Sequence, residues 1–279
     1  MTAVAVARDD LLNAVRSRVA LGVVAAFVGT VGLLFLAESG IHPHPYRTLY
    51  DVVRAYILVA PILLAPLAYA AVAGDRASGR IRFVLGLPRT RGSYVAGLVL
   101  SRTVVAVGAT LCSVLVGFLV ALATFQHSPD PVRFAVFSGV SSLYALSFVS
   151  LFVAVSAVAR NRSTAMLGAV GAYFVLVPFW IGMLPPVGLD TALTAVGDLL
   201  GTTVPESTRQ LVRSLSPYGA YGRASEPVFA GAADRYELLH DSPDTELSQY
   251  LWFNVAVLLA WSVGSAGLAL AQFRRTDLV

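Results

Sequence analysis

Residues 74–92 read GDRASGRIRFVLGLPRTRG and separate two long runs of almost purely apolar residues. Arginine is concentrated in this short stretch, and Asp75 is its only acid. Ile81, Val84 and Leu85 are spaced i, i+3 and i+4, which predicts an apolar ridge along one face of a short helix. Pro88 ends that helix because the residue before a proline avoids helical backbone angles. The stretch is therefore predicted to be a short amphipathic helix ringed by arginines.

The composition identifies the solvent of the surrounding chain as lipid. Of its 279 residues, 57% are hydrophobic and only 13% are charged, whereas a soluble domain carries about 25% charged residues. The chain contains no lysine, which excludes a lysine-containing phosphate loop and Schiff-base chemistry. Any nucleotide that drives the protein is therefore expected on another chain. Cys112 is the single cysteine and lies in an apolar run, so we expect neither a disulfide framework nor a cysteine metal site.

Apolar segments of about 20 residues are long enough to cross a bilayer as helices. Six such segments predict an all-α integral membrane protein that forms a single domain over residues 1–279, and we expect the third helix to begin early, near Ser93. The predicted spans are Val19–Ala37, Ala55–Ala73, Thr103–Ala123, Phe134–Ala159, Thr164–Leu184 and Tyr250–Phe273.

The arginines predict the orientation of these spans. With the N-terminus inside, the inner segments carry 12 arginines and four acids, and the outer segments carry seven arginines and 12 acids. Cytoplasmic loops are the ones enriched in basic residues. We therefore expect both termini in the cytoplasm, a location in the cell membrane, and stretch 74–92 on the cytoplasmic side. This distribution explains the basic pI better than nucleic-acid binding does.

The N-terminal residues and one long loop contain further helical patterns. Val4, Leu11, Leu12, Val15 and Val19 recur at helical spacing, which predicts a helix lying in the cytoplasmic interface, with a disordered N-terminus as the alternative. In the external segment 185–249, apolar spacing predicts short helices over 189–200 and 207–215 that rest on or dip into the outer leaflet. The rest of that segment, 223–248, is predicted to be an exposed loop.

The predicted spans contain no Asp, Glu, Lys or His. Ion-coupled transporters usually bind their ion with an ionisable residue at membrane depth, so an ion-coupled secondary transporter is disfavoured. Enzymatic activity is also disfavoured, because the histidines lie in external loops without a catalytic motif. His42, His44 and His127 have the chemistry of a weak metal site, but so small a loop set is expected to be solvated, and no metal site is predicted.

Two features of the spans concern packing. Arg102, near the start of the third span, either faces an internal cavity or extends to the headgroups, and we favour the second. Small residues at four-residue spacing on the first and last spans predict faces that let helices approach closely. These positions are Gly22, Ala26, Thr30, Ala256, Ala260 and Gly264.

An apolar ridge ringed by arginines is suited either to a groove in a partner protein or to a lipid surface. At family level, the pattern Asp75-Arg76-x-Ser78-Gly79-x-x-x-x-x-Leu85-x-Leu87-Pro88-x-Thr90-Arg91 resembles the cytoplasmic loop of type-2 ABC transporter permeases. The six-span layout and the ending Phe273-Arg274-Arg275-Thr276-Asp277-Leu278 are similar too, most of all to the NosY-like branch. Asp75 stands where glutamate is commoner, and Gly97-Leu98 where Gly-Lys often follows.

The resemblance implies a homodimeric permease subunit of an ATP-driven exporter that recruits cytoplasmic ATPase subunits, which bind the ATP and magnesium. Residues 75–91 would then contain the coupling helix that docks on the ATPase. The residues assigned to docking are Asp75, Arg76, Gly79, Arg80, Ile81, Arg82, Val84, Leu85, Pro88, Arg89 and Arg91.

Two other functions stay open at this stage. The first is a component that transmits ATP-driven motion to an external partner on residues 185–249 for protein maturation. The second is a scaffold without transport. The uncharged spans suit an apolar cargo, and the membrane lipid itself is a partner in every case.

Overall fold

The computed structural model describes residues 3–81, 90–183, 186–229 and 247–275. Every regular element within these ranges is a helix, as the apolar runs predict. In chain order the α-helices are α1 (Ala3–Val15), α2 (Arg18–Glu38), α3 (Tyr46–Ala68), α4 (Ala71–Ala77), α5 (Arg91–Thr124), α6 (Pro131–Val158), α7 (Arg162–Leu176), α8 (Pro178–Ile181), α9 (Leu189–Leu199), α10 (Glu206–Ser214), α11 (Pro217–Ala224) and α12 (Leu247–Arg275), with a 3₁₀ helix at Glu226–Phe229.

Six helical segments in the described chain are long and apolar enough to cross a membrane, which confirms the predicted number. They are formed by α2, by α3 with α4, by α5, by α6, by α7 with α8, and by α12. The second segment begins at Tyr46 rather than Ala55, because its polar first turns remain helical outside the apolar run. Pro61 and Pro66 lie inside α3 without ending it. The fifth segment is interrupted at Val177, immediately before Pro178.

Helix α6 lies at the centre of the bundle. It packs against α3, α5, α7, α11 and α12, and 72% of its most apolar 18 residues are buried. Its aromatic side chains Tyr144, Phe148 and Phe152 are fully buried. By contrast, only 28% of the most apolar 18 residues of the segment formed by α7 and α8 are buried, so most of the surface of this span faces away from the rest of the chain. A hydroxyl on a buried tyrosine needs a partner, and Tyr144 donates to the Ile57 carbonyl at 2.8 Å.

The N-terminal residues form the predicted helix, but a different face meets the protein. Helix α1 packs along α5 through Val6, Ala7, Asp10 and Ala14, all of which are buried. Of the predicted apolar stripe, Val4, Leu12 and Val15 are exposed, whereas Leu11 is half-buried against the core and Val19 belongs to α2. The helix therefore has two apolar surfaces, one of small residues for close contact with α5 and one of larger residues facing away from the bundle.

Gly97 permits the close approach of α1 to α5. A Cβ atom added there would lie 2.6 Å from the Val6 Cβ and 3.0 Å from the Ala3 carbonyl oxygen. We expect Gly97→Ala to lower the free energy of unfolding by about 1–3 kcal/mol, because α1 has to move away. Thermal unfolding of the detergent-purified chain measures this effect.

Gly108→Ala is the matched control for Gly97→Ala, since Gly108 lies on the same helix and a Cβ there meets no atom within 4 Å. Alanine is the better helix former, so the control should be neutral or stabilising by up to about 1 kcal/mol. Equal unfolding temperatures for the two variants would contradict close packing of α1.

Segment 185–249, which is predicted to be external, forms α9 and α10 near the predicted positions, with Gly201 closing the first of them at a positive φ of 65°. The prediction of an exposed loop from residue 223 is wrong for residues 223–229. Ala224, Ser225 and Val228 are buried, and α11 packs against α3, α6 and α12. The prediction is also wrong for residues 247 and 248, which belong to α12, and residues 230–246 lie outside the described residues.

Candidate functional site

The arginine-rich stretch begins on a helix whose first turn is capped by another span. Ala70 precedes α4 and has no side chain able to accept a hydrogen bond from the free N–H groups of the first turn. The Ser156 hydroxyl of α6 accepts from the backbone N–H groups of Val72 and Ala73 at 3.1 and 3.0 Å. This contact joins the N-terminus of α4 to the C-terminal end of α6.

Arg76 makes a second contact with the same end of α6. Its guanidinium donates to the carbonyl oxygens of Ala159 at 2.6 Å and Ala157 at 3.2 Å. These carbonyls lie at the C-terminus of a helix, where the backbone has no further intrahelical donors and carries a partial negative charge. Arg76 therefore satisfies the end of α6 and fixes the start of the arginine-rich stretch to it.

Asp75 points to the other side of the stretch, toward α5. Its carboxylate accepts a hydrogen bond from the Tyr94 hydroxyl at 2.7 Å and lies 3.8 Å from the guanidinium of Arg80. Tyr94 is buried, and its ring packs against Phe273 with the ring centroids 5.6 Å apart. Phe273 is the first residue of the ending that resembles the family pattern. Asp75 therefore connects α4 to α5, and through Tyr94 to α12.

The stretch leaves α4 and enters α5 at two residues suited to those positions. Gly79 has a φ of 72°, a left-handed conformation that glycine adopts without a steric penalty, and it follows the end of α4. Thr90 caps α5 by accepting a hydrogen bond from the Ser93 N–H at 3.1 Å. The Thr-Arg step of the predicted pattern is thus a helix N-cap followed by the first residue of α5.

The predicted docking residues differ in whether they contact other helices of the chain, are exposed, or are buried in the core. Asp75 and Arg76 bond to other helices of the chain, whereas the Arg80 side chain is 55% exposed. Ile81 was predicted on the docking ridge, but it is buried in the main core of the chain, so we exclude it from the contact surface. Arg91 is exposed at the start of α5. Arg82, Val84, Leu85, Pro88 and Arg89 lie outside the described residues.

Arg102 forms an interhelical ion pair, which corrects the prediction that it extends to the headgroups. Its guanidinium lies 3.0 Å from the Asp10 carboxylate of α1, and Asp10 also accepts a hydrogen bond from Ser101. The side chains of Arg102 and Asp10 are only 19% and 11% exposed. A carboxylate on the neighbouring helix compensates the arginine, so its charge does not have to reach the membrane surface.

The predicted small-residue faces are not where α2 and α12 pack within the chain. Gly22 and Gly264 are exposed, and a Cβ on either would meet no atom within 4 Å. Ala256 and Ala260 are exposed, and Ala26 and Thr30 are half-buried. Both helices contact their neighbours through other residues, namely Val23, Phe27, Val31 and Phe35 on α2 and Leu258, Ser262, Ala269 and Phe273 on α12.

Two of the predicted loop histidines come together outside the bundle. The rings of His44 and His127 stack with their centroids 3.7 Å apart. The backbone N–H of His127 donates to the Pro43 carbonyl at 3.2 Å. Among the described residues, no group of three or more His, Cys, Asp or Glu side chains is placed to hold a metal ion.

Ser156, Tyr94 and Asp10 contribute to the site but were not identified from the sequence. Each of them acts on a residue that is distant in the chain, so no local spacing marks it. The family pattern indicated Asp75, Arg76, Gly79, Thr90 and Phe273 in advance. That pattern selects residues that fix the stretch to α5 and α6.

A comparison with protein families relates this architecture to transporters. The family described as ABC-2 family transporter protein matches residues 4–278, which is nearly the whole chain. A comparison with curated protein sequences found no match. The match includes α1, all six membrane-length segments and the arginine-rich stretch between the second and third. The chain is therefore a multi-pass membrane protein that belongs to the ABC-2 family of transporter membrane proteins.

Proposed function

We propose that this chain is the permease subunit of an ATP-driven exporter, and that residues 75–91 dock on a separate cytoplasmic ATPase. Family membership implies partnership with a cytoplasmic ABC ATPase. The ATPase binds ATP and magnesium, and this chain supplies the membrane path for a substrate. The observation that supports the docking assignment best is the attachment of the start of this stretch to two different spans, to α6 through Arg76 and to α5 through Asp75 and Tyr94.

These attachments give the proposed coupling a mechanical basis. A displacement of residues 75–91 acts directly on the C-terminus of α6 through Arg76 and Ser156, and on α5 and α12 through Tyr94 and Phe273. Because α6 is the central helix, movement at its end changes its packing against several spans at once. Packed helices shift between discrete arrangements, as alternating access to the two membrane faces requires.

We propose that the protein lies in the cell membrane. In the proposed orientation, both termini and residues 75–91 are in the cytoplasm. The excess of arginine in the inner segments supports it. We also propose a homodimer. The exposed small residues on α12 and the sparsely packed α7 leave surfaces that a second copy can approach closely.

The second candidate function is maturation of an external partner, which the NosY-like resemblance keeps open. In this case ATP-driven motion passes through the chain to a protein bound at residues 185–249, without bulk transport. The exposed leucines at the end of α9 support this alternative, since Leu199 is 86% exposed and Leu200 is 72% exposed. An ion-coupled transporter is supported least, because its uptake would need an ion-binding residue in the spans.

Co-purification with candidate ABC ATPase subunits tests the docking assignment. We expect the wild-type chain to retain an ATPase. The amount retained should fall at least about tenfold in Val84→Asp/Leu85→Asp, because two apolar side chains of the proposed interface are replaced by charged ones. The control is Leu199→Asp/Leu200→Asp, which places the same two charges on the external segment. Equal retention by both variants, in protein that elutes as wild type, would exclude residues 84 and 85 from the interface.

A further inference from the structure

A second site lies at the external end of the bundle, where α3 meets α10, α11 and the 3₁₀ helix. A cavity of about 300 Å³ opens between these elements. Apolar side chains, Val53, Ile57 and Phe229, form part of its wall. Its polar lining contains three arginines, which are Arg54, Arg213 and Arg223, together with Glu226.

The external arginines of the described chain differ in whether a carboxylate compensates them. Arg47 lies 2.5 Å from Asp51, and Arg133 lies 3.5 Å from Asp130. Asp190 lies 3.7 Å from Arg209 and 2.6 Å from Arg213.

Arg54 and Arg223 are the exceptions. Within the described ranges, neither has a carboxylate at ion-pair distance, and both line the same cavity. Two guanidinium charges without carboxylate partners in one cavity favour an anionic ligand, because guanidinium groups bind oxyanions through paired N–H donors.

The chain holds the Arg54 side chain and the helix that carries Arg223 in place before any ligand binds. The Arg54 guanidinium donates to the Tyr50 hydroxyl at 3.2 Å and lies 5.5 Å from the centroid of the Tyr50 ring. Arg223 lies in the last turn of α11, and α11 is anchored by a hydrogen bond of 2.8 Å between the hydroxyls of Tyr221 and Ser141. Donors fixed in this way lose less entropy when they bind.

Two other titratable groups of the cavity, Glu226 and Tyr218, affect an anion differently, because Glu226 repels it while ionised and Tyr218 does not. Burial raises the pKa of the Glu226 carboxyl, and the nearby Arg223 lowers it by a smaller amount. Burial likewise raises the pKa of Tyr218, so its hydroxyl keeps its proton and can donate a hydrogen bond. Glu226 thus gives up its charge more readily than a surface carboxylate does.

The position of the cavity along the span indicates where the ligand comes from. The second membrane segment has 32 residues, which at 1.5 Å per residue is longer than the hydrocarbon core of about 30 Å. Its external turns therefore lie at headgroup level, and Arg54 is about 12 Å from the start of the helix. Charged walls beside an apolar wall at this depth match an amphiphile with an anionic headgroup.

We propose that this cavity binds a phosphate group at the external surface of the membrane, and that Arg54 and Arg223 contact the phosphate. The proposal goes beyond the proposed transport function, because binding does not require an ATPase. A phospholipid headgroup and free phosphate present the same anionic group to the arginines. Only the phospholipid also contacts the apolar wall of the cavity.

The test uses the full chain in phosphatidylcholine nanodiscs that contain about one fifth phosphatidic acid. Native mass spectrometry then measures the phosphatidic acid retained per chain. We expect Arg54→Gln/Arg223→Gln to reduce retention at least about tenfold, and Glu226→Gln to increase it severalfold because a competing charge is removed. Arg47→Gln is the matched control, since Arg47 lies on the same helix end but pairs with Asp51, and it should change retention less than about twofold.

The outcomes separate the two sources of phosphate and the failure of the proposal. Retention that inorganic phosphate does not displace identifies the lipid headgroup as the ligand. Displacement by inorganic phosphate identifies the free anion. Equal retention by wild type and the double variant, or equal loss in Arg47→Gln, would overturn the proposal. If the double variant does not fold, an unchanged affinity in Glu226→Gln overturns it instead.

Discussion

Replacing Arg76 with glutamine is expected to reduce the ATP hydrolysis that the permease stimulates in its partner at least about tenfold, while the ATPase remains bound. The guanidinium joins residues 75–91 to the carbonyls of Ala157 and Ala159 at the end of α6. Each hydrogen bond made by a charged group contributes about 1.5–3 kcal/mol, and a glutamine amide is too short and too weak a donor to replace both. The stretch then moves without moving α6. The measurement compares ATP hydrolysis by reconstituted complexes.

Arg16→Gln is the control for Arg76→Gln, because it removes the same charge from another predicted inner segment, outside residues 75–91. Arg16 is exposed, so its loss should alter hydrolysis by less than about twofold. If Arg76→Gln instead released the ATPase, Arg76 would contact the partner directly. Full stimulation by Arg76→Gln would show that the contact with α6 does not transmit motion.

The second large effect is expected at Asp10. Asp10→Ala leaves Arg102 without its carboxylate partner at a site where both side chains are mostly buried. Removing one partner of a buried pair costs about 3–5 kcal/mol, because the other charge stays uncompensated. We therefore expect a large fall in the thermal unfolding temperature of the purified chain, together with easier proteolysis near α1.

Two further variants separate loss of the pair from a general effect of changing α1. Asp9→Asn changes an exposed neighbour and should cost less than about 1 kcal/mol. Asp10→Asn/Arg102→Gln removes both charges, so the double variant should be more stable than the sum of the single effects predicts. Strictly additive costs would contradict a direct coupling between the two side chains.

Membrane architecture could be predicted from the sequence because it depends on local composition. A helix that crosses lipid satisfies its backbone hydrogen bonds within its own segment, so about 20 apolar residues suffice to identify it. The six predicted runs correspond to the six membrane-length segments. Helix ends were less predictable, since the polar turns from Tyr46 to Arg54 extend α3 beyond its apolar run.

The tertiary contacts could not be predicted, because they depend on residues far apart in the sequence. Arg102 has the same local sequence whether it reaches the headgroups or pairs with Asp10, and only the position of α1 decides between them. The burial of α11 was missed for a related reason. Residues 217–224 read PYGAYGRA, without a clear apolar period, and the Tyr221 hydroxyl is satisfied by Ser141 on another helix.

Site-specific photo-crosslinking is the most direct test of the central claim that residues 75–91 touch a cytoplasmic ATPase. The photoreactive amino acid p-benzoylphenylalanine is placed at Val84, or at Ser128 in a loop that is predicted to be external, in cells that also express the candidate ATPase. We predict an adduct with the ATPase from position 84 and none from position 128. Adducts from neither position, or equal adducts from both in correctly inserted protein, would contradict the account.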